Sequence, residues 1–211
     1  MTQGGKIRRM WCARGLRRRA ERRFCAPLSV SVAGVCVLLA FACTGLAFGQ
    51  TNASTEYQVK AAFLFHFAQF VDWPSEAFKQ PDSPITYCTV GDDPFQGALD
   101  ASLNGKTLGA RPFRVRHLKH VEEAAGCQVL FLGTDDKKAL SAALGSLEGS
   151  PTLTVGETEH FAADGGMIGF CLEDNKVRFE INVRAAEHAR LKISARLLAL
   201  AKTVIGGQKG N

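Results

Sequence analysis

The chain has 211 residues and a formal net charge of +6, a length that suits one ordinary domain with a leader. The charge is unevenly spread: nine Lys or Arg and one acid, Glu21, precede residue 50, which leaves 17 basic and 19 acidic residues from Gln50 onward. A nucleic-acid partner requires a basic face to neutralise phosphates; the basic excess sits before residue 50 and the rest balances to −2, so the overall charge is no argument for one and no nucleic acid is expected.

Residues 1–49 read as a secretory signal peptide, and residues 50–211 as one exported domain. A long basic segment carries Arg8, Arg9, Arg14, Arg17, Arg18, Arg19, Arg22 and Arg23. An apolar stretch follows over residues 28–48, and Ala47-Phe48-Gly49 places small residues for cleavage before Gln50. The alternative is an uncleaved membrane anchor, because about 20 apolar residues can span a bilayer. A lipid anchor at Cys43 is a poorer match, since Phe41 stands where a small residue is wanted. The expected location is therefore the periplasm.

The mature chain opens on a polar stretch, residues 51–55, expected to be frayed. A helix is expected over 56–71, with Val59, Phe63, Phe67 and Phe70 as its apolar stripe, stopped by Trp73-Pro74. Residues 85–91 form a first apolar strand. Asp92-Asp93-Pro94 then starts a short helix reaching about residue 102, with a carboxylate cap and Pro in the first turn. Asn104-Gly105-Lys106 is a turn. Further strands are expected at 113–116, 128–133 and 151–156, with a helix to residue 147 capped by Thr134-Asp135-Asp136.

Two strands at 167–172 and 176–183, joined across Glu173-Asp174-Asn175, have the spacing of an antiparallel hairpin. A short helix near 185–189 follows, then a final amphipathic helix over 194–205 with Ile193, Leu197, Leu200 and Val204 as its buried stripe. Alternating strands and helices imply an α/β fold: a mostly parallel sheet between helix layers, extended by the C-terminal hairpin.

Three strand ends carry acids, at Asp92-Asp93, Asp135-Asp136 and Glu157-Glu159. In a parallel sheet they line the carboxyl edge, where ligands bind. Asp92, Asp93 and Asp135 are thus candidates for a small-ligand site, against the plainer reading of Asp92 and Asp135 as helix caps. His66, His117, His120, His160 and His188 show no metal-ligand spacing, so no metal and no cofactor is expected. There is no GxSxG elbow and no HExxH, and residues 91–97 lack the glycine spacing and lysine of a phosphate loop. These observations lean against an enzyme.

Four of the seven cysteines lie in the leader, leaving Cys88, Cys127 and Cys171. An oxidising compartment lets two of them pair. Cys88 in the first strand and Cys127 at the threshold of the third can meet if those strands are neighbours; the alternative is two buried free thiols. The aromatic run Phe63, Phe65, Phe67, Phe70 and Trp73 is either core or, at Phe65, apolar surface awaiting a partner, and that surplus is compatible with a homodimer.

An ordered set of segments resembles the YfiR-like family of periplasmic proteins. The segments are Lys60-Ala61-Ala62-Phe63-Leu64 through Phe70-Val71-Asp72-Trp73-Pro74, Cys88-Thr89-Val90-Gly91-Asp92-Asp93-Pro94-Phe95, and Gly126-Cys127-Gln128-Val129-Leu130-Phe131-Leu132-Gly133. Gly165-Gly166-Met167-Ile168, Val177-Arg178-Phe179-Glu180-Ile181-Asn182 and Ile193-Ser194-Ala195-Arg196-Leu197-Leu198 complete it. The resemblance implies a regulator that docks on the periplasmic portion of an inner-membrane signalling protein, a diguanylate cyclase or a sensor kinase, and represses it. It also implies a Cys88–Cys127 disulfide. Some members carry a second bridge, one half of which matches Cys171. Here Phe161, Ala162 and Ala163 occupy the upstream region, so the second bridge is not implied. Gly165, Gly166, Phe179, Glu180 and Asn182, with the final helix, are the expected partner contacts.

Overall fold

Residues 51–91 and 93–207 are described by a computed structural model; the expected signal peptide and Asp92 lie outside the described residues. In chain order the elements are α1 (Thr51–Gln69), β1 (Val71–Asp72), a 3-10 turn at Ser75–Ala77, β2 (Ile85–Val90), α2 (Ala98–Leu103), β3 (Thr107–Leu108) and β4 (Arg111–Leu118). A 3-10 turn at Val121–Ala124, β5 (Val129–Leu132), α3 (Lys137–Ser146), β6 (Leu153–Gly156), β7 (Ile168–Glu173) and β8 (Lys176–Asn182) follow. The chain then forms α4 (Val183–His188), β9 (Lys192–Ile193), α5 (Ala195–Leu200) and β10 (Thr203–Ile205). Among the described residues, no helix is long and apolar enough to cross a membrane.

Eight strands make one sheet in the order β10-β8-β7-β6-β5-β2-β4-β3. Strands β4, β2, β5, β6 and β7 run parallel, β8 returns antiparallel to β7, and β3 is antiparallel to β4. The fold is the expected α/β class, with a mostly parallel sheet and a C-terminal hairpin.

Period-two alternation sorts the strand side chains onto two faces. Val129 and Phe131 of β5 join the larger core under α1, whereas Leu130 and Leu132 join the smaller one under α3. The larger core holds Phe63, Phe67, Phe170 and Phe179, with ring centroids 5.1–6.2 Å apart.

Three expectations about helices are corrected. Helix α1 begins at Thr51 rather than near 56, so residues 51–55 are helical and not frayed. Its buried face is Ala61, Leu64, Phe67 and Ala68, while Val59 is 39% exposed. Alanines at the contact let the helix lie close on the sheet, which moves the seam away from the larger side chains beside it.

The final helix is also shorter than expected. Ser194 caps α5 through its side chain, and the helix ends at Ala201, whose ψ of 141° is extended. Thr203-Val204-Ile205 is a β-branched run suited to a strand, and it lies parallel to β8 at Thr203↔Glu180. It covers an edge of β8 that would otherwise expose unpaired backbone groups. Leu200 is 62% exposed and Val204 39%, so the expected buried stripe fails beyond Leu197.

Candidate functional site

The sheet order makes β2 and β5 parallel neighbours, with Tyr87 opposite Val129. Cys88 in β2 therefore reaches Cys127, just before β5, and the two form a disulfide with Cα atoms 6.0 Å apart. Both are buried. The backbone around the bridge is fixed on every side. Gln128 Oε1 accepts from Thr86 N at 2.8 Å, while its Nε2 donates to Ala77 O at 2.8 Å. Thr152 Oγ1 donates to Cys127 O at 2.8 Å. Arg116 Nη1 lies 3.9 Å from Cys127 Sγ, and the same guanidinium donates to the carbonyls of Ala125 and Glu123.

At the carboxyl edge Asp136 caps α3, whereas α2 starts at Ala98 with Gly97 in the cap position and not at the expected Asp92-Asp93-Pro94, where Asp93 instead closes a turn ahead of the helix. Asp93 accepts from the backbone N–H groups of Phe95 and Gly97. Asp136 accepts from Lys138 N and Ala139 N, so the helix cap falls on Asp136. Asp135 is exposed beside it. Among the described residues, Asp93 and Asp135 do not line the cavity at this edge. The largest change from the sequence reading at this edge is at Glu157. Lys60 of α1 is 5% exposed and pairs with Glu56 at 2.5 Å and with Glu157. The Tyr57 hydroxyl donates to Glu157 Oε1 at 2.9 Å. Burial, then the hydrogen bond to Glu157 and its charge, push the Tyr57 phenol well above its ordinary value. This cluster ties α1 to the loop after β6. A buried charge is tolerated only when paired and hydrogen-bonded, and Glu157 meets both conditions for Lys60.

A profile of the YfiR/HmsC-like family matches residues 57–202, a span that contains the disulfide, the Lys60–Glu157 cluster and the hairpin. The chain belongs to the YfiR/HmsC-like family. That family is known for regulating diguanylate cyclases from the periplasm. Among solved structures, this YfiR/HmsC-like chain is similar to a conserved domain protein from Vibrio cholerae, at 10% identity over 70% of this chain, with a TM-score of 0.48. A second similarity is to an ABC domain in complex with L-Trp from Streptococcus pneumonia, at 10% identity over 71% of this chain, with a TM-score of 0.46. The chain spans 60% of the length of each.

Within this YfiR/HmsC-like domain, the hairpin residues singled out from sequence separate into two groups. Phe179 is 3% exposed and packs edge-on against Phe67 in the aromatic core. Asn182 is buried; its amide donates to Ala162 O and its carbonyl caps α4 at Ala185 N. Gly166 is also buried, and a Cβ there would overlap the Phe161 ring. These three hold the hairpin in place and are not open surface. Gly165 is exposed, at a φ of 106° that only glycine adopts without strain, and Glu180 is half-buried.

Phe65 is covered by Phe113, with centroids 5.5 Å apart, and by the Lys106 ammonium 4.1 Å from its ring. It is thus half-buried against its own domain. Cys171 is a free, half-buried thiol, and burial pushes its pKa up.

Sequence reasoning missed the Lys60–Glu157 pair. Its signal was a lysine on the buried stripe of an otherwise apolar helix, at i relative to Leu64 (i+4) and Phe67 (i+7). A lysine there requires a carboxylate, and an unassigned glutamate stood at the end of a strand.

Proposed function

We propose that this chain is a periplasmic regulator that binds the periplasmic portion of an inner-membrane signalling protein, a diguanylate cyclase, and represses it, lowering cyclic-di-GMP. The observation that carries this reading is the YfiR/HmsC-like match over residues 57–202. In this reading residues 1–49 direct export and residues 50–211 are the working domain. The buried Cys88–Cys127 bridge suits an oxidising compartment. A binding role rather than catalysis fits the described acids of the carboxyl edge, where Asp93 closes a turn, Asp136 caps α3 and Glu157 serves as a counter-ion.

The contact surface is proposed on the outer side of the hairpin, next to the first half of α1. Leu172 of β7 is 55% exposed and Val59 of α1 39%. Together with Phe63 and Val177 they line a groove of about 510 Å³. Large apolar side chains left open beside one another are a feature of partner surfaces. Of the contacts expected from sequence, Phe179 packs beside Phe63 under this groove, whereas Gly165 and Asn182 line a separate cavity at the other end of the hairpin and Glu180 alternates to the opposite face of β8.

The test is co-purification of the tagged chain with inner-membrane proteins, identified by mass spectrometry. Recovery of a cyclase or sensor kinase, lost with Leu172→Asp, is the expected result. Equal recovery with Leu172→Asp would overturn the surface, and no specific recovery would overturn the partner. The second reading is a periplasmic small-ligand module without a cyclase partner. It is favoured by one observation, a cavity at the carboxyl edge beside Gly91 and Gly133.

A further inference from the structure

The winding of the sheet reverses between β2 and β5. From β2 the chain crosses to β4 on one side, then returns past β2 to β5 and continues to β6 and β7 on the other. Helix α2 after β2 packs on the larger core, and α3 after β5 packs on the smaller one. At such a reversal the two connections diverge, and a crevice opens outside the carboxyl ends of the strands. A cavity of about 520 Å³ occupies that place, reached by Val90 and Gly91 at the end of β2 and by Leu132 and Gly133 at the end of β5. Ligand pockets run from roughly 300 to 1,000 Å³.

Its walls are apolar and small. Val121 from the 3-10 turn faces Ala139, Ala142 and Ala143 of α3. Leu132 and Ala143 belong to the same buried cluster as the Cys88–Cys127 bridge, so the floor is braced by a covalent link.

Its rim carries donors that lack acceptors. Lys119 makes no ion pair among the described residues, and it lines the cavity. The His120 side chain accepts from the backbone N–H of Glu123. In the neutral imidazole the other ring nitrogen then holds the proton and can donate. Thr134 Oγ1 accepts from Asp136 N at 3.2 Å, which leaves its hydroxyl proton to give. Glu122 is the acid among these lining residues and offsets the one lysine. Three donors without matching acceptors suit an oxyanion. With Lys119 and Glu122 the charged lining sums to zero, so selection of an anion falls to the three directed donors, which suits a single negative charge rather than a phosphate dianion.

We propose that this crevice binds a small amphipathic monocarboxylate. The carboxylate meets Lys119, His120 and Thr134, and the apolar body lies against Val121, Leu132 and the alanines of α3. This inference rests on the ligand-module reading of the carboxyl edge and assigns the site to residues other than Asp92, Asp93 and Asp135.

The test is an amide-resolved NMR titration of the purified chain, in the form the cell accumulates, with 2-naphthoate and with uncharged 2-naphthamide. Saturable shifts centred on Gly91, Lys119, His120 and Thr134 are expected, with naphthoate bound at least about tenfold more tightly than naphthamide. Ala142→Leu keeps helix propensity and should fill the cavity, weakening naphthoate at least about tenfold while the spectrum stays dispersed as in the parent. Lys119→Met should abolish the preference for the charged probe. The proposal is overturned by the absence of saturable shifts, by equal affinities, or by unchanged binding in Ala142→Leu. Shifts centred instead on Asp93 and Asp135 would also overturn it, while leaving the ligand-module reading standing.

Discussion

The two faces of the sheet are stabilised by different means. Under α1 the core is aromatic, with Phe63 and Phe67 of the helix interleaved with Phe170 of β7 and Phe179 of β8. Each buried aromatic ring removes about 150–250 Å² from water. Under α3 the core is built mainly from leucines and alanines, with Phe161 as its aromatic member and the Cys88–Cys127 bridge among its buried residues. A face that buries less apolar surface gains from a covalent link that restricts the unfolded chain. One sheet thus depends on apolar burial on one side and on a cross-link on the other.

The aromatic side should be the more costly to break. Phe67→Ala removes a fully buried ring and is expected to lower stability by about 3–5 kcal/mol, measured by urea unfolding. Replacing both Cys88 and Cys127 with Ala opens a link of sequence separation 39, at a loss of about 3–4 kcal/mol by loop-closure entropy. That second loss should be matched by reducing the parent chain with dithiothreitol. If reduction left the unfolding midpoint unchanged, the small face would not depend on the bridge.

A smaller effect is expected where the two faces meet the hairpin. Gly166→Ala would drive a methyl group into the Phe161 ring, costing about 1–3 kcal/mol through overpacking. A wild-type unfolding curve for this variant would show that the ring has room to move.

The smallest effect is at the exposed end of the hairpin. The hydrogen bond and charge of Lys202, 3.0 Å away, hold the Glu173 carboxyl below the usual glutamate range, and Glu173 holds the Lys202 ammonium above its own. A lowered carboxyl contributes stability that is complete above its ordinary value and is lost as pH falls through the lowered one. A raised ammonium contributes below its ordinary value and loses that contribution as pH rises through the raised one. The tie between β7 and the segment entering β10 therefore holds across neutral pH. Lys202→Met should raise Glu173 toward the ordinary carboxylate range in an NMR titration, with Arg178 still lowering it in part; an unchanged titration would contradict the pairing.

Much of this was legible in the sequence, and the failures have physical causes. The alternation Val177, Phe179, Ile181 placed the hairpin because strand geometry is local. Trp73-Pro74 stopped α1 close to where it ends. The α1 stripe was misjudged because large apolar residues drew the reading toward Val59, whereas Ala61 and Ala68 make the close contact. The segment 203–205 continues a helical pattern by itself and becomes a strand only because β8 offers an edge. A glycine pair beside a strand looks like open surface, yet Gly166 is buried against the Phe161 ring. Lys60 on an apolar stripe signals the need for a carboxylate, but Glu157 lies 97 residues away, so no local pattern names it as the partner.

The regulatory reading is tested most directly by cellular cyclic-di-GMP in three strains of equal protein abundance: one lacking the chain, one carrying it, and one carrying Leu172→Asp. The expected result is a high level without the chain, a low level with it, and a high level again with Leu172→Asp. A level unchanged by removal of the chain would contradict repression of a cyclase.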